Sequence, residues 1–249
     1  MLRKLLKLTG FILLVAFLVI TLAFSASESR NIPCRSIEIE ISEDELIKIS
    51  KEEITRLVNS ADEHLIGKDL EQINADFIEA EVEKHQAIFN AEIYKVIVKD
   101  TVNYRGILGV RVKHREPAVR IMSAEGRYYL DENGEKIPVS ANYTANVLVA
   151  TGYFSEKFAK DELLPFVLFL DNNPFWKAQI EQVHVEQDGD IILTPLIGDH
   201  LIELGTLENF PQKLQNMKAF YQQVMARNKW NEYKMVSLKY DNQVIAKKR

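Results

Sequence analysis

Apolar residues recur along this chain in three ways: one unbroken run near the start, then alternation at period two, then helical spacing. The run, Gly10 to Ala26, sits behind Arg3, Lys4 and Lys7. At 1.5 Å rise it covers roughly 25 Å, slightly less than the roughly 30 Å hydrocarbon core of a bilayer, so Leu8 and the Lys7 stem are expected to complete a span. Positive charge on the leading segment keeps that segment cytoplasmic and sends the remainder across. A cleaved signal peptide fits the same residues, with Ala23, Ser25, Ala26 and Ser27 as small side chains near a cleavage point. A lipoprotein fits less well, because Cys34 follows Arg30, Asn31, Ile32 and Pro33 rather than small apolar residues. In each case the body is expected to be exported.

After the run, Ile37, Ile39 and Ile41 alternate with Ser36, Glu38 and Glu40, which predicts a half-buried strand. Ser50 with Glu53 forms a capping box for a helix whose stripe is Ile54, Leu57 and Val58. Gly67 breaks the run, and Asn74 opens a second helix with Phe77, Ile78 and Val82, ending near His85. Ala91 to Val98 is rich in β-branched residues, Tyr104, Arg105 and Gly106 predict a turn region, and Leu108, Val110 and Val112 alternate as another strand. The order strand, helix, helix, strand, strand predicts an α+β unit over 36–116, closed by Arg115, Glu116 and Pro117.

Beyond that boundary the signals are mostly β. Arg127 to Leu130 and Ile137 to Val139 flank Asp131-Glu132-Asn133-Gly134, a hairpin signal because Asn-Gly accepts positive φ cheaply. Val183 to Glu186 and Ile191 to Leu193 flank Asp188-Gly189, and His200 to Leu204 follows Gly198-Asp199. Helices are expected over Glu162 to Leu170, shortened or kinked by Pro165, and over Asn209 to Met225, with Pro211 in its first turn and Leu214, Met217, Phe220, Tyr221 and Val224 on one face. Met235 to Ile245 reads as a closing strand. The layout is a cytoplasmic tail at 1–9, a transmembrane helix at 10–26, a juxtamembrane linker at 27–35, the α+β unit at 36–116, and a β-rich domain with interspersed helices at 117–249.

Charge changes this picture little. Thirty-six acidic and 31 basic side chains leave a net charge of -5, with no basic footprint for nucleic acid beyond the tail Lys247, Lys248 and Arg249. One cysteine cannot close an internal disulfide, so Cys34 either pairs between chains or is a bystander. Candidate chemistry fails piece by piece. His64, His85, His114, His184 and His200 are isolated in sequence, with no His-Glu-x-x-His spacing. Asp131, Asn133 and Glu135 alternate oxygens as a calcium loop does, but Gly134 is out of place and the closing acid is missing. No glycine-rich loop precedes a helix, and no serine sits on a tight elbow. No catalysis, cofactor or metal is expected.

Several segments, taken in order, resemble one family. Val110-Arg111-Val112-Lys113 leads into Arg115-Glu116-Pro117-Ala118-Val119-Arg120; Tyr129-Leu130-Asp131 precedes Gly134 and Ile137-Pro138; Leu204-Gly205 leads into a helix; Val236-Ser237-Leu238-Lys239-Tyr240-Asp241-Asn242-Gln243-Val244 comes near the end. This succession resembles the FtsQ/DivIB bacterial cell-division proteins, with one span, a POTRA domain and a β domain. Ala118 and Val119 stand in place of the usual order, Ser237 and Lys239 stand where many members carry Asp and Arg, and Thr206 stands where some carry a basic residue. The resemblance implies a non-enzymatic divisome scaffold at the division site in the bacterial inner membrane. Its β domain would join bitopic coiled-coil partners of the FtsB/FtsL or DivIC/FtsL type, and its POTRA domain would meet upstream division proteins. Such a scaffold must stay tethered, which favours retention of the anchor over cleavage. The residues implied for partner binding are Thr206, Tyr221, Ser237, Lys239, Tyr240, Asp241, Asn242 and Val244.

The physical basis would be strand addition, in which an extended segment gains ladder hydrogen bonds at an exposed sheet edge. Tyr240 is the natural anchor, with Lys239 and Asn242 setting register. Alternatively, Met235 to Ile245 is an interior strand and Tyr240 packs in the core. Two other functions remain open: a POTRA-containing assembly or secretion factor that handles β segments, and an exported hydrolase.

Overall fold

The computed structural model describes residues 2–28, 32–42, 46–47, 49–99, 104–140, 143–224, 230–240 and 243–249. They fall into two compact units, one of Met1–Ser42 with Ile49–Lys113, the other of Glu43–Lys48 with His114–Arg249.

The first unit begins with helix α1, Leu2–Glu28. Phe11, Leu13, Phe17, Ile20 and Leu22 are all exposed, and the Thr21 hydroxyl donates back to the carbonyls of Phe17 and Leu18 at 3.0 Å. Among the described residues, no helix is long and apolar enough to cross a membrane.

Strand β1 (Cys34–Ile41), helix α2 (Lys51–Ala61), a 3₁₀ turn at Leu70–Gln72, helix α3 (Ala75–Val82) and strands β2 (Ile88–Lys99) and β3 (Tyr104–His114) follow. Both predicted N-caps form, Ser50 Oγ accepting from the Glu53 amide and Asn74 Oδ1 from the Phe77 amide, each at 3.2 Å, but of the expected capping box only the Ser50 half is seen, the Glu53 carboxylate lying 4.0 Å from His85 Nε2 instead. Ile54, Val58, Ile78 and Val82 are buried, whereas Phe77, expected on the apolar stripe, is half exposed.

The sheet order is β1-β3-β2, with β1 parallel to β3. The expected turn at Tyr104, Arg105 and Gly106 is instead the start of β3: Cys34 pairs with Gly106, whose amide donates to the Pro33 carbonyl at 3.1 Å. Cys34 itself is fully buried, and desolvation raises its thiol pKa. An interchain disulfide would therefore require β1 to open.

On the open face of this sheet the Tyr94 ring lies across Gly109, so that a Cβ at Gly109 would overlap it. The Tyr94 hydroxyl bonds Glu40, and Arg111 lies 5.4 Å over the ring while pairing with Glu40 and Glu92. A glycine in a central strand, otherwise a weak choice, is here the seat of an aromatic ring.

The second unit is built on one nine-stranded sheet. Its strands are β4 (Pro117–Ser123), β5 (Gly126–Asp131), β6 (Lys136–Pro138), β7 (Leu148–Gly152), β8 (Ile180–Val185), β9 (Ile191–Pro195), β10 (Leu201–Gly205), β11 (Tyr233–Ser237) and β12 (Ile245–Lys248). Their spatial order is β12-β11-β10-β9-β8-β7-β4-β5-β6. Pairings β4–β7, β7–β8 and β10–β11 are parallel and the others antiparallel.

Pro117 opens β4, the one position in an interior strand where a missing N–H is tolerated. The hairpin after β5 is organised by Asp131, which is almost fully buried. One carboxylate oxygen accepts from the amides of Asn133 (2.9 Å) and Glu135 (2.8 Å), and the other pairs with Arg115 at 3.0 Å.

One face of the sheet carries a row of buried apolar side chains that crosses six strands in register: Ile121, Ala150, Val183, Leu193, Ile202 and Val236. It belongs to the same core as Phe166, Val167 and Leu170 of helix α5 (Leu164–Asp171) and Leu214, Met217 and Tyr221 of helix α7 (Phe210–Gln223). The segment expected to begin at Glu162 starts earlier, as α4 (Glu156–Phe158) and a π-helical turn (Ala159–Leu163) that runs into α5 just ahead of Pro165. A short helix α6 (Pro174–Lys177) returns the chain to β8.

The single strand expected over Met235 to Ile245 is two strands. Strand β11 ends at Ser237, the chain turns, and β12 returns antiparallel to it from Ile245.

Substituting Gly109 by Ala should destabilise the first unit by about 1–3 kcal/mol, the usual cost of overpacking. Urea unfolding would measure this, and adding Tyr94→Ala should recover part of the loss. Additive losses in the double variant would contradict the packing of Tyr94 on Gly109.

Candidate partner-binding edge

Strand β12 is an edge of the nine-stranded sheet, bonded to β11 on one side only. Its register places Ile245 opposite Ser237, Ala246 opposite Val236, and Lys247 opposite Met235. Ionic contacts hold the C-terminal end of this short strand. Lys248 pairs with Glu232, which raises the lysine's pKa, and Arg249 donates to the Asp199 carbonyl at 2.9 Å and lies 3.3 Å from its carboxylate. Nothing in the apolar pattern distinguished Lys247 and Lys248 from a solvated tail, so only their pairing with β11 reveals a strand.

The turn between β11 and β12 follows from three attachments. Leu238 is buried and its amide donates to the Glu203 carbonyl at 2.8 Å, which continues the β10–β11 pairing by one residue. Lys239 then passes beside Gly205 and forms an ion pair with Asp190 in the turn before β9. Gly205 has φ of +72° and a side chain there would crowd Lys239, so glycine is required on both counts. Finally, the Gln243 amide donates to the Tyr240 carbonyl at 3.3 Å, closing the reversal.

The predicted site residues therefore divide. Tyr240 is 59% exposed in the turn, which excludes the alternative that it packs in the core. Thr206 is exposed just beyond Gly205. Lys239 lies on the surface, but its ammonium is held by Asp190, which raises its pKa. Ser237 is buried and its hydroxyl accepts from the Lys239 amide at 3.4 Å, so it shapes the turn from beneath. Val244 is half-buried against the core. Asp241 and Asn242 lie outside the described residues.

Tyr221 belongs to no surface. It is 3% exposed, shares a 2.8 Å hydrogen bond with His200 Nε2, and stacks obliquely with Trp230 at 5.2 Å. Helical periodicity placed it on the apolar face of its helix, and the structure keeps it there.

Three residues that matter here carried no signal in the sequence. Lys213 is buried in α7 and donates to the carbonyls of Leu204 (3.1 Å) and Thr206 (2.8 Å), fixing the Leu-Gly turn against the helix. Asp190 receives Lys239. His200 is buried at the mouth of β10, with Nδ1 unpartnered among the described residues, and desolvation holds its imidazole below the ordinary range despite Asp199 nearby.

The sign of the resulting pH dependence follows from His200. The unfolded imidazole takes a proton near about pH 6.5 and the folded one only at lower pH, so stability is lost as pH falls through about 6.5, by at most about 1.4 kcal/mol per pH unit. His200→Gln should remove this part of the slope, as read from urea midpoints between about pH 7.5 and 5.5. Parallel slopes for the two proteins would rule it out.

The two units match two family descriptions. Residues 32–102 match a POTRA-like domain, and residues 116–247, more than half of the chain, match the family described as FtsQ/DivIB, C-terminal related. The chain is also 27% identical over 168 residues to the cell division protein FtsQ of Salinibacter ruber (strain DSM 13855 / M31), a match that spans 62% of this chain and 64% of that protein. The second match takes in every strand of the large sheet and all but the last residue of β11's partner β12, and on that basis the chain belongs to the FtsQ/DivIB C-terminal related family.

Proposed function

We propose that this protein is a non-enzymatic scaffold of the bacterial division machinery that captures bitopic partners by strand addition at the outer edge of β12. The observation that carries the reading is an unpaired strand edge next to an exposed tyrosine. Ladder groups supply affinity for any extended segment, and a large amphipathic ring beside them supplies a selective anchor. Tyr240, Ile245 and Leu201 are exposed large side chains in this region, while Lys213, Ser237 and the Lys239–Asp190 pair hold the turn in place from behind. A preformed edge spares an incoming strand the cost of ordering its template.

In this reading residues 36–116 act as a POTRA-like domain facing upstream division proteins, and 117–249 form the β domain that receives coiled-coil partners of the FtsB/FtsL or DivIC/FtsL type. Helix α1 serves as the membrane anchor, with residues 1–9 cytoplasmic and the bulk outside. The proposed span within it, residues 10–26, corresponds to roughly 25 Å of helix. Its described apolar side chains are exposed, and Thr21 satisfies its hydroxyl within the helix, as lipid requires. Tethering beside anchored partners raises their effective concentration, so a modest interface suffices.

Tyr240→Ala should weaken capture of the bitopic partners by about tenfold or more, the loss typical of an aromatic anchor, with the fold unchanged. Pull-down of the tagged full chain from cross-linked cells, alongside a thermal melt, would measure this. Undiminished capture by Tyr240→Ala combined with Lys247→Glu would exclude this edge as the interface.

A further inference from the structure

On the face of the large sheet turned away from α5 and α7, Arg120 and Arg127 have no ion-pair partner among the described residues. Val119 and Ile121 of β4 and Tyr128 and Leu130 of β5 enter the core, so Arg120, Arg127 and Tyr129 point the other way. Arg120 pairs across the ladder with Tyr129 and Met122 with Arg127, which makes the two arginines diagonal neighbours, roughly 7–8 Å apart. The Arg120 guanidinium lies 5.8 Å over the Tyr129 ring. Its Nε is buried with no acceptor among the described residues, and so is the hydroxyl of the fully buried Tyr129. Half-buried Arg120 therefore offers its charge only through the two terminal nitrogens, while Arg127 is exposed. The acids beside them along β5 and its turn are engaged elsewhere. Asp131 is held by Arg115 and two amides, and Glu125 accepts from the Glu156 amide at 2.9 Å. On the next two strands the same face carries Val149, Thr151, Gln182 and His184, none of them an anion, with the Thr151 hydroxyl bonded to both Gln182 and His184.

A guanidinium taken partly out of water with no anion beside it costs folding free energy, and a like charge on the diagonal adds to that cost. A carboxylate relieves both, and the planar fork of arginine receives it through two parallel hydrogen bonds. Alternate residues of an extended chain point to one side and lie roughly 7 Å apart, which matches the diagonal spacing of the two arginines. We infer that this face of β4 and β5 binds an acidic segment of a partner protein in extended form, with Asp or Glu on alternate residues. One carboxylate meets Arg120, held in place by the ring beneath it, and the next meets Arg127. The site is separate from the β12 edge and lies toward the opposite end of the sheet.

The test titrates the full chain, in zwitterionic micelles, into the peptide tetramethylrhodamine-Ala-Glu-Val-Glu-Ala-amide and follows fluorescence anisotropy against protein-free micelles. Saturation below about 1 mM is expected, weakened about tenfold or more in Arg120→Gln/Arg127→Gln and in the peptide with Gln in place of Glu. Lys157→Gln/Lys234→Gln removes two exposed cations elsewhere in the second unit and should bind within about twofold of the parent. The arginine variant should melt no lower than the parent, because it deletes two unneutralised charges. If loss of Arg120 disturbs the packing over Tyr129, Arg127→Gln alone, at an exposed position, is still expected to weaken binding about threefold or more. Binding unchanged by the arginine substitutions, or an equal loss in the lysine control, would overturn the proposal in favour of general charge attraction. Absence of saturation up to about 1 mM would overturn it as well. Because Tyr240→Ala should leave this binding intact, failure here is distinguishable from failure of the β12 interface.

Discussion

The second unit depends on a single row of side chains. Ile121, Ala150, Val183, Leu193, Ile202 and Val236 lie side by side across six strands, all essentially inaccessible to water, in one core with α5 and α7. Side chains alternate with period two, so a one-residue slip of any strand would carry its member of the row to the opposite face. Burial of an aliphatic side chain is worth about 1.5–3 kcal/mol, which makes such slips costly at every strand together. The position of β11 is thereby fixed from the far side of the sheet, and with it the place where β12 can pair.

From that constraint the geometry of the C-terminal edge follows. Val236 belongs to the row and Leu238 is buried two residues later, as alternation requires. Lys239 must then point the other way, where Gly205 leaves room for it and Asp190 meets its charge. The strand cannot continue past this point with its backbone drawn toward Glu203, and the reversal throws Tyr240 out to solvent. Exposure of a large ring at this position is a consequence of burial on either side of it rather than a local preference of the turn. The buried lysine Lys213 works to the same end from the helix side, satisfying two carbonyls that the Leu-Gly turn leaves unpaired.

Polar groups elsewhere show how local needs account for residues that look chemical in the sequence. Asp131 has the spacing of a cation loop with Asn133 and Glu135, yet its oxygens are occupied by two amides and the Arg115 guanidinium. Its companions contribute backbone, not side chains. His200, one of five scattered histidines, pairs with a tyrosine in the core. Cys34 is sealed within β1. In each case tertiary burial assigns a structural role to a residue type that is also used for chemistry.

Local rules made much of the first unit legible. Capping residues at Ser50 and Asn74 and the alternation at Ile37 to Ile41 act over a few residues, and the structure places elements at each, whereas the helix expected to run to Gly67 ends at Ala61. The hairpins at Asn133-Gly134 and Asp188-Gly189 were legible for the same reason, as was the helix opening at Pro211. Strands β4 and β7 were not. Strand β7 lies between two parallel neighbours, β4 and β8, and needs no alternation and no tight turn, so Val149 and Thr151 do not mark an edge or a face until those strands lie beside them, while β4 is placed by its parallel pairing with β7, a partner reached only through the sheet. The break between β11 and β12 was equally hidden, because Met235 to Ile245 has strand character throughout and only the fixed position of Glu203, Gly205 and Asp190 bends it. The amino-acid sequence by itself determined where helices start, where turns form and which family the order of motifs resembles, since those depend on neighbours a few residues away. Which strand becomes the edge and that Tyr240 is offered to solvent were decided by tertiary structure alone, because they depend on partners tens of residues distant that the sheet brings together.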